Sequence, residues 1–245
     1  MANDNPVRRR IVEAREVLKR SRRFDLIFKY ELAKAWAAGD PAAIRIAEEA
    51  YLEMVRSRNG FYEGEPPRDK PEDFIESFRR LFASIRERGY DMSAPAIPVD
   101  GKGELLNGAH RLCVCAAFGL ECPVETSDMY PAGGSVHKTF EKGHIHRAVR
   151  DWGLRRYLAA FPDGALADDF RALGPREGQA FPDWSARARR AWIWKIVPAL
   201  KILWGELEIR LKPAARHAKI RRRIDREKKK ISGFAALAAY WEGRR

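Results

Sequence analysis

The strongest constraint in this sequence is a tight turn at Asn107-Gly108, between a short apolar strand and a helix that opens with Ala109-His110-Arg111. The first turn of a helix carries backbone N–H groups without intrahelical acceptors and lies at the positive end of the helix dipole. His110 and Arg111 add an imidazole and a guanidinium to that end. The sequence therefore predicts an anion site here, with phosphate as the expected ligand.

The same residues also have a purely structural interpretation, which the sequence leaves open. Asn before Gly is a favoured turn pair whatever its function. Arg111 can pair with a carboxylate, and His110 can be a hydrogen-bonded turn residue. The combination of helix start, histidine and arginine favours the binding interpretation.

An amphipathic helix is predicted before the turn, ending at Gly89. Its apolar face carries Phe74, Phe78, Leu81, Phe82 and Ile85. The segment before it, residues 59–71, is dense in glycine and proline and is predicted to be a loop.

Short strands are predicted on both sides of the anion site. Residues 96–99 and 104–106 are predicted to form a hairpin about Asp100-Gly101. The helix that starts at Ala109 ends at Gly119, and residues 123–126 return as a strand. Residues 60–128 are thus predicted to form an α/β unit.

The N-terminal and C-terminal regions are predicted to be helical, giving an α+β protein. In the first region, Ile11, Ala14, Val17 and Leu18 are assigned to one helix face, and Gly39-Asp40-Pro41 separates two further helices. Helix is also predicted from Ser185 onward, interrupted by Pro198, Pro213 and Gly233. The predicted segments are a helical N-terminal extension (1–58), the α/β domain (59–130), an irregular segment (131–184) and a basic amphipathic helical region (185–245).

Positive charge is concentrated in one segment. The chain has 47 Lys and Arg against 34 Asp and Glu, a formal net charge of +13. Residues 187–230 contain 16 of those basic residues and 4 of the acidic ones, so this segment alone carries +12. The basic character therefore describes the C-terminal region and not the whole chain.

The C-terminal region mixes those charges with an apolar, tryptophan-rich helix that begins near Trp192. Such a helix suits the interface of an anionic membrane, and the polybasic run would strengthen that attraction. The same apolar face could instead pack on the α/β core. The basic run could also bind nucleic acid, which is less favoured because no DNA-reading motif accompanies it.

Cysteine and histidine patterns argue against a disulfide framework and a metal site. The cysteines Cys113, Cys115 and Cys122 include no C-x-x-C pair, and the first two are predicted to be core side chains. His137, His144 and His146 lack a cysteine or acidic pair at ligand spacing, so no metal site is predicted. No signal peptide and no apolar run long enough to span a bilayer is evident, which predicts a cytoplasmic protein, peripheral at the membrane if the basic region binds lipid.

The order of helix, Gly89, two strands, Gly108-Ala109-His110-Arg111, helix and strand resembles the ParB/sulfiredoxin superfamily. The upstream residues 24–30 and 61–63 also look like ParB-like proteins associated with bacterial surface-polysaccharide biosynthesis. The resemblance implies a ParB-like core whose strand–turn–helix element holds phosphate groups. Within the superfamily, the turn is most similar to that of the free-serine kinases.

Departures from each subgroup narrow the options. The sulfiredoxin turn carries a catalytic cysteine, and Ala109 occupies that position here. DNA-partition members follow the core with a helix-turn-helix domain, and none is evident after Thr126. The kinase subgroup carries an acidic residue where this chain has Asn107, which can hydrogen-bond a hydroxyl or a Mg²⁺-bound water but cannot act as a base.

The resemblance also implies site residues outside the turn. Glu63 resembles the glutamate that precedes the corresponding helix in the serine kinases, and it is the predicted general base, with Glu65 and Glu31 as alternatives. Lys70 could reach a phosphate as a point charge, although a surface lysine has the same signature. The predicted catalytic residues are Glu63, His110 and Arg111; the predicted nucleotide-binding residues are Asn107, Gly108, Ala109, His110, Arg111 and Lys70.

These features lead to two functional hypotheses. The first is an ATP-dependent or other nucleotide-dependent phosphotransferase, working with Mg²⁺ on a glycan precursor or polyol in surface-polysaccharide biosynthesis. The second is a non-catalytic nucleotide-sensing module that binds DNA or an anionic membrane through residues 187–230.

Overall fold

A computed structural model gives the structure of the protein and describes residues 9–59, 61, 70–127, 145–178, 180–181, 192–211 and 217–242. The chain forms two compact units. Unit 1 contains residues 1–51 and 77–179, and unit 2 contains residues 52–76 and 180–245.

The sheet of unit 1 has three strands, β1 (Arg9–Glu13), β2 (Ile97–Val99) and β3 (Glu121–Thr126), in the order β1-β3-β2. β1 runs antiparallel to β3, and β2 runs parallel to β3. A parallel pair requires a crossover, and helix α5 (Ala109–Ala117) provides it between β2 and β3. The N-terminus of α5 therefore follows the strand ends of a parallel β–α–β unit.

The other helices of the described chain surround this unit or belong to unit 2. In chain order they are α1 (Ala14–Arg20), α2 (Asp25–Ala38), α3 (Pro41–Asn59), α4 (Pro71–Arg88), α6 (Arg147–Ala160), α7 (Ala167–Ala172), α8 (Trp192–Leu211) and α9 (His217–Glu242). Helices and a small mixed sheet together make the α+β class that the sequence predicted.

Helix ends are confirmed where glycine was predicted to set them. The helices α2 and α3 are separated at Gly39, α4 ends before Gly89, and α5 ends before Gly119. Each of these glycines has a positive φ, a conformation that side-chain-bearing residues rarely adopt. Local chemistry alone therefore located these boundaries.

The first strand is a correction to the sequence analysis, which assigned Ile11 to a helix. Residues 9–13 instead pair with β3 in the register Ile11 to Pro123 and Val12 to Cys122. The β-branched pair Ile11-Val12 fits a strand, but the partner is more than a hundred residues away in sequence. The helical periodicity begins only with α1.

The predicted hairpin is present in a reduced form. Only Val99 and Leu105 form an antiparallel bridge, and the Asp100 N–H donates to the Glu104 carbonyl (2.9 Å) across the turn. The Leu106 N–H also donates to the Pro98 carbonyl (3.0 Å). Pro98 has no N–H to donate to a ladder, so the second arm of the hairpin does not become a regular strand.

The core of unit 1 lies where α1 and α2 pack on α5 and where α6 packs on α2. An aromatic cluster fills the second contact. Phe24 meets Phe28 edge to face with ring centroids 4.6 Å apart, and Phe28 stacks on Trp152 at 6.2 Å. Tyr157 meets Phe170 of α7 edge to face, with ring centroids 4.9 Å apart, which extends the cluster to α7.

Unit 2 contains α8 and α9, which pack against each other, and a buried ion pair between Glu53 and Arg56 (2.6 Å).

The sequence analysis predicted interruptions at Pro198 and Gly233, and both predictions were wrong because α8 and α9 run through these positions. Proline in the second turn of a helix removes one backbone hydrogen bond, and glycine costs only about 1 kcal/mol. Pro213 lies outside the described residues. No described helix is both long and apolar enough to span a bilayer.

We predict that Gly153→Ala destabilises the protein, because α6 approaches α2 closely at Gly153. A Cβ at this position would lie 2.8 Å from Cζ of Phe28, in a ring that is fully buried. Overpacking costs typically 1–3 kcal/mol, which exceeds the gain of about 1 kcal/mol in helix propensity. Thermal unfolding would show a melting temperature lowered by a few degrees.

The matched control is Gly101→Ala, because nothing lies within 4 Å of a Cβ there and no positive φ is required. This variant should melt like the wild type. A Gly153→Ala protein as stable as the control would contradict the close α2–α6 contact.

Candidate functional site

The turn before α5 has a backbone that only glycine adopts without strain. Gly108 has φ 80° and ψ 23°, and its N–H donates to the Asn107 side-chain oxygen at 2.7 Å. A Cβ on Gly108 would lie 3.3 Å from an Arg111 guanidinium nitrogen and 3.4 Å from Ile97 Cγ2. The turn therefore needs glycine for its backbone angle and for the close approach of Arg111.

The segment leading into the turn is held by the linker between α1 and α2. Ser21 accepts from the Leu105 N–H at 3.0 Å, and Arg23 donates to the Leu106 carbonyl at 3.0 Å. Arg23 is itself held by a two-point ion pair with Asp25, with distances of 2.9 and 3.1 Å. The carbonyl immediately before Asn107 is thus fixed by a charged network from a distant part of the chain.

Asp25 also binds Lys29, one helical turn along α2, at 2.5 Å. Both residues are buried, with 8% and 4% of their surface exposed. A buried charge requires a partner, because its desolvation cost is several kcal/mol. The network of Arg23, Asp25 and Lys29 is accordingly an internal support of the turn.

Arg111 folds back over the start of α5. One of its terminal nitrogens donates to the Pro95 carbonyl (2.7 Å) and contacts the Tyr90 hydroxyl at 3.3 Å. Burial raises the pKa of Tyr90, and the nearby guanidinium offsets part of that rise. The hydroxyl therefore stays protonated at neutral pH.

No carboxylate lies within ion-pair distance of Arg111 in the part of the chain that the structure describes. The side chain is half-buried, and its second terminal nitrogen and Nε have no acceptor among the described residues. The backbone N–H groups of Ala109 and Arg111 also lack a backbone acceptor there, as expected in a first helical turn. Donors without acceptors thus gather at the start of α5.

His110 has a different environment. Its Nε2 lies 3.0 Å from the Tyr51 hydroxyl, and its ring meets the Phe78 ring edge to face at a centroid distance of 4.6 Å. Tyr51 is fully buried on α3. The imidazole is therefore held by aromatic neighbours from α3 and α4, which fixes its orientation at the helix start.

The same aromatic neighbourhood contains a second charged group. Glu48 is buried on α3 and accepts from Arg79 (2.8 Å) and from the Trp36 indole (3.4 Å). Arg79 also lies over the Trp36 ring at 5.5 Å. These contacts couple α2, α3 and α4 around the aromatic group that holds His110.

The remaining predicted residues have separate locations. Glu63 and Glu65 lie outside the described residues, as do His137 and His144. Lys70 is exposed in unit 2, where its N–H donates to Asp73 at 3.3 Å at the start of α4. Glu31 is buried and pairs with Arg156 at 2.5 Å, which makes it a structural carboxylate.

His146 caps α6, because its Nδ1 accepts from the Ala148 N–H at 3.3 Å. Within the described residues, no group of three or more His, Cys, Asp or Glu side chains is arranged to hold a metal ion. The donor set at the start of α5 consists of N–H groups and fits a phosphate. Mg²⁺ remains an expectation that accompanies the nucleotide.

The sequence analysis missed Tyr51, Tyr90 and Arg23 as neighbours of the turn. Tyr90 follows the helix-ending Gly89, and Arg23 lies in a basic linker, so their positions could have suggested contacts. Tyr51 had no such signal, because its contact with His110 joins residues 59 positions apart. Long-range contacts of this kind leave no trace in local patterns.

A search of protein-family models, of curated proteins and of solved structures finds no significant match to this chain.

We predict that Gly108→Ala weakens anion binding and stability together. The strained backbone costs about 1 kcal/mol, and the new Cβ displaces the Arg111 guanidinium from the helix start. The loss of anion binding is measured as a smaller rise in melting temperature when inorganic pyrophosphate is added in increasing concentration.

Gly119→Ala is the control, because Gly119 has a similar φ of 68° but open space around its Cβ. This variant should lose stability by a similar amount and keep the anion response. Equal anion responses in the two variants would contradict the placement of the site.

We further predict that the three cysteines react very slowly with thiol reagents in the folded protein. All are buried and free, and burial raises the pKa of Cys115 to about 12 and that of Cys122 to about 11. Since the thiolate is the reactive form, labelling at pH 8 should be orders of magnitude slower than in denaturant. Rapid labelling of a native thiol would contradict this prediction.

Proposed function

We propose that the protein is a ParB-like, nucleotide-dependent phosphotransferase that binds the phosphates of its nucleotide at the start of α5. The observation that carries this proposal is the half-buried Arg111, which lies over the first turn of α5 with no carboxylate partner among the described residues. A cation in that position attracts an anion, and the helix start adds donors.

The Arg111 geometry bears on the alternative that the turn is only structural. That interpretation expects Arg111 to pair with a carboxylate. Among the described residues, the guanidinium instead donates to the Pro95 carbonyl and the Tyr90 hydroxyl. These contacts orient the Arg111 guanidinium but do not neutralise its charge. A phosphate would supply the missing negative charge and accept from the two uncommitted guanidinium nitrogens.

In the proposed reaction, an acceptor hydroxyl attacks the terminal phosphorus of the nucleotide. The bond from that phosphorus to the bridging oxygen breaks, so the products are a phosphorylated acceptor and a nucleotide shortened by one phosphate. Positioning and charge neutralisation dominate such reactions. Arg111 supplies neutralisation, Glu63 accepts the hydroxyl proton, and Mg²⁺ arrives with the nucleotide.

The acceptor class comes from the resemblance to proteins of surface-polysaccharide biosynthesis, which points to a glycan precursor or a polyol. In this proposal, His110 is a positioning residue for the first turn of α5. Its contact with Tyr51 ties the first turn of α5 to α3, so the donors at the helix start keep their direction.

We predict that ATP or another nucleoside triphosphate stabilises the wild type and that Arg111→Ala removes most of this effect. Loss of charge-assisted hydrogen bonds costs about 1.5–3 kcal/mol, or roughly tenfold or more in affinity. Calorimetric titration with ATP, ADP, CTP and GTP, with and without Mg²⁺, measures the affinities directly.

Arg88→Ala is the matched control, since Arg88 is an exposed arginine of unit 1 that donates to Ser84. Its nucleotide affinity should equal that of the wild type. Arg111→Lys keeps the charge but loses the planar fork, so an intermediate affinity is expected. Equal affinity in wild type and Arg111→Ala would remove the nucleotide site from the start of α5.

Turnover is tested separately, with Glu63→Gln compared with Glu65→Gln. In an acceptor screen that follows release of nucleoside diphosphate, the first variant should lose turnover and retain nucleotide affinity, and the second should retain both. Nucleotide binding without transfer to any sugar or polyol would instead favour the nucleotide-sensing module.

A further inference from the structure

Helix α8 has an exposed apolar stripe, formed by Leu200, Leu203, Trp204 and Leu207. The exposed fractions of these residues are 59%, 65%, 60% and 44%. Their spacing of three and four residues places them along one side of the helix, within an arc of about 100°. Four large apolar side chains therefore form a continuous surface on unit 2.

The opposite side of α8 has a different role. Gly205 is buried, and Ile202 and Ile209 are half-buried. The helix packs against α9, where Ile220, Ile224 and Leu237 are buried. Among the described residues of α8, the side with Gly205 is therefore the packed side, and the apolar stripe lies on the opposite side.

Exposed charges around these two helices are mainly basic. The exposed basic residues of their described part are Lys201, Lys219, Arg221, Arg222 and Lys228, whereas the exposed acidic residues there are Glu206 and Asp225. On α8 the charges beside the stripe are Lys201, Glu206 and the half-buried Glu208, and the other four basic residues lie on α9. Residues 187–230 as a whole carry a net charge of +12, so an apolar stripe within this basic region matches a surface that is negative outside and apolar beneath.

The size of the stripe argues against a second copy of the chain as its partner. Stable protein interfaces bury about 800 Å² on each partner, and four partly exposed side chains offer roughly half of that area. A repeated positive charge would also oppose self-association. Nucleic acid would use the basic residues but would leave three leucines in contact with water.

We propose that unit 2 docks on anionic lipid surfaces, with the apolar stripe of α8 inserted at the boundary between headgroups and acyl chains. The helix lies along the surface, where Lys201 reaches the anionic headgroups, and the net positive charge of the region adds attraction at longer range. Exposed leucine and tryptophan side chains leave water on docking, and the lysine and arginine residues add attraction that salt weakens. This proposal is independent of the nucleotide site.

The test is flotation of the full-length protein with two kinds of vesicle, phosphatidylcholine alone and an equal mixture of phosphatidylcholine and phosphatidylglycerol. Wild type should float with the mixed vesicles and remain unbound with the neutral ones. The double variant Leu203→Glu, Trp204→Glu should reduce the partition coefficient by about tenfold or more. Lys201→Gln should reduce it by about fivefold, as expected of ~1 kcal/mol for one charge near the surface.

The matched control is Ile11→Glu with Met92→Glu. These two residues of unit 1 are also exposed and apolar, at 59% and 45%, and the charge change is identical. The control should float like the wild type. Circular dichroism and thermal unfolding confirm that each variant is folded before it is compared.

Failure to float with the mixed vesicles would overturn the proposal, as would equal flotation of the stripe variant and the wild type. A wild-type dimer in solution that the stripe variant converts to a monomer would assign the stripe to a second copy instead. Duplex DNA binding that the stripe variant retains, without vesicle binding, would assign the region to nucleic acid.

Discussion

The arrangement of unit 1 depends on the charged connection between the α1–α2 linker and the segment before α5. Arg23 bridges the Asp25 carboxylate and the Leu106 carbonyl, and Ser21 accepts from the Leu105 N–H. Residues 104–106 form only one bridge with β2, so sheet pairing alone would leave them loosely held. The linker fixes the carbonyl from which the Asn107 turn begins, and the turn in turn sets where α5 starts. The direction of the donors at the helix start therefore follows from a contact more than eighty residues away.

The position of Arg111 at the start of α5 has an electrostatic cost. Placing a guanidinium against the positive end of a helix is unfavourable unless an anion is present, because both carry positive charge. The Pro95 carbonyl and the Tyr90 hydroxyl offset part of this cost with dipoles, without neutralising the charge. In the proposed complex, an anion at this position would gain a contact with Arg111 and would also relieve that repulsion.

Local signals were sufficient for much of the fold. Glycines at positions 39, 89 and 119 set helix ends because their conformation is available to few other residues, and the polar turn before α5 was evident from its residue types. The missing parts depend on distant partners. β1 is a strand because β3 offers it an edge, and His110 is held by Tyr51 through a contact between different helices. Pro198 illustrates a third case, in which a helix tolerates a residue that a local rule would place at its end.

Helix α8 has apolar residues on two sides, and this property explains why its sequence supported two interpretations. A helix that is apolar on one side needs one partner, whereas a helix apolar on both needs two. α9 packs against α8, in which Gly205 is buried, whereas the core-packing interpretation named the α/β core as the partner. The side with Leu203 and Trp204 remains exposed, as the membrane interpretation requires. Packing against α9 and the proposed docking on lipid are therefore compatible, because they concern different sides of one helix.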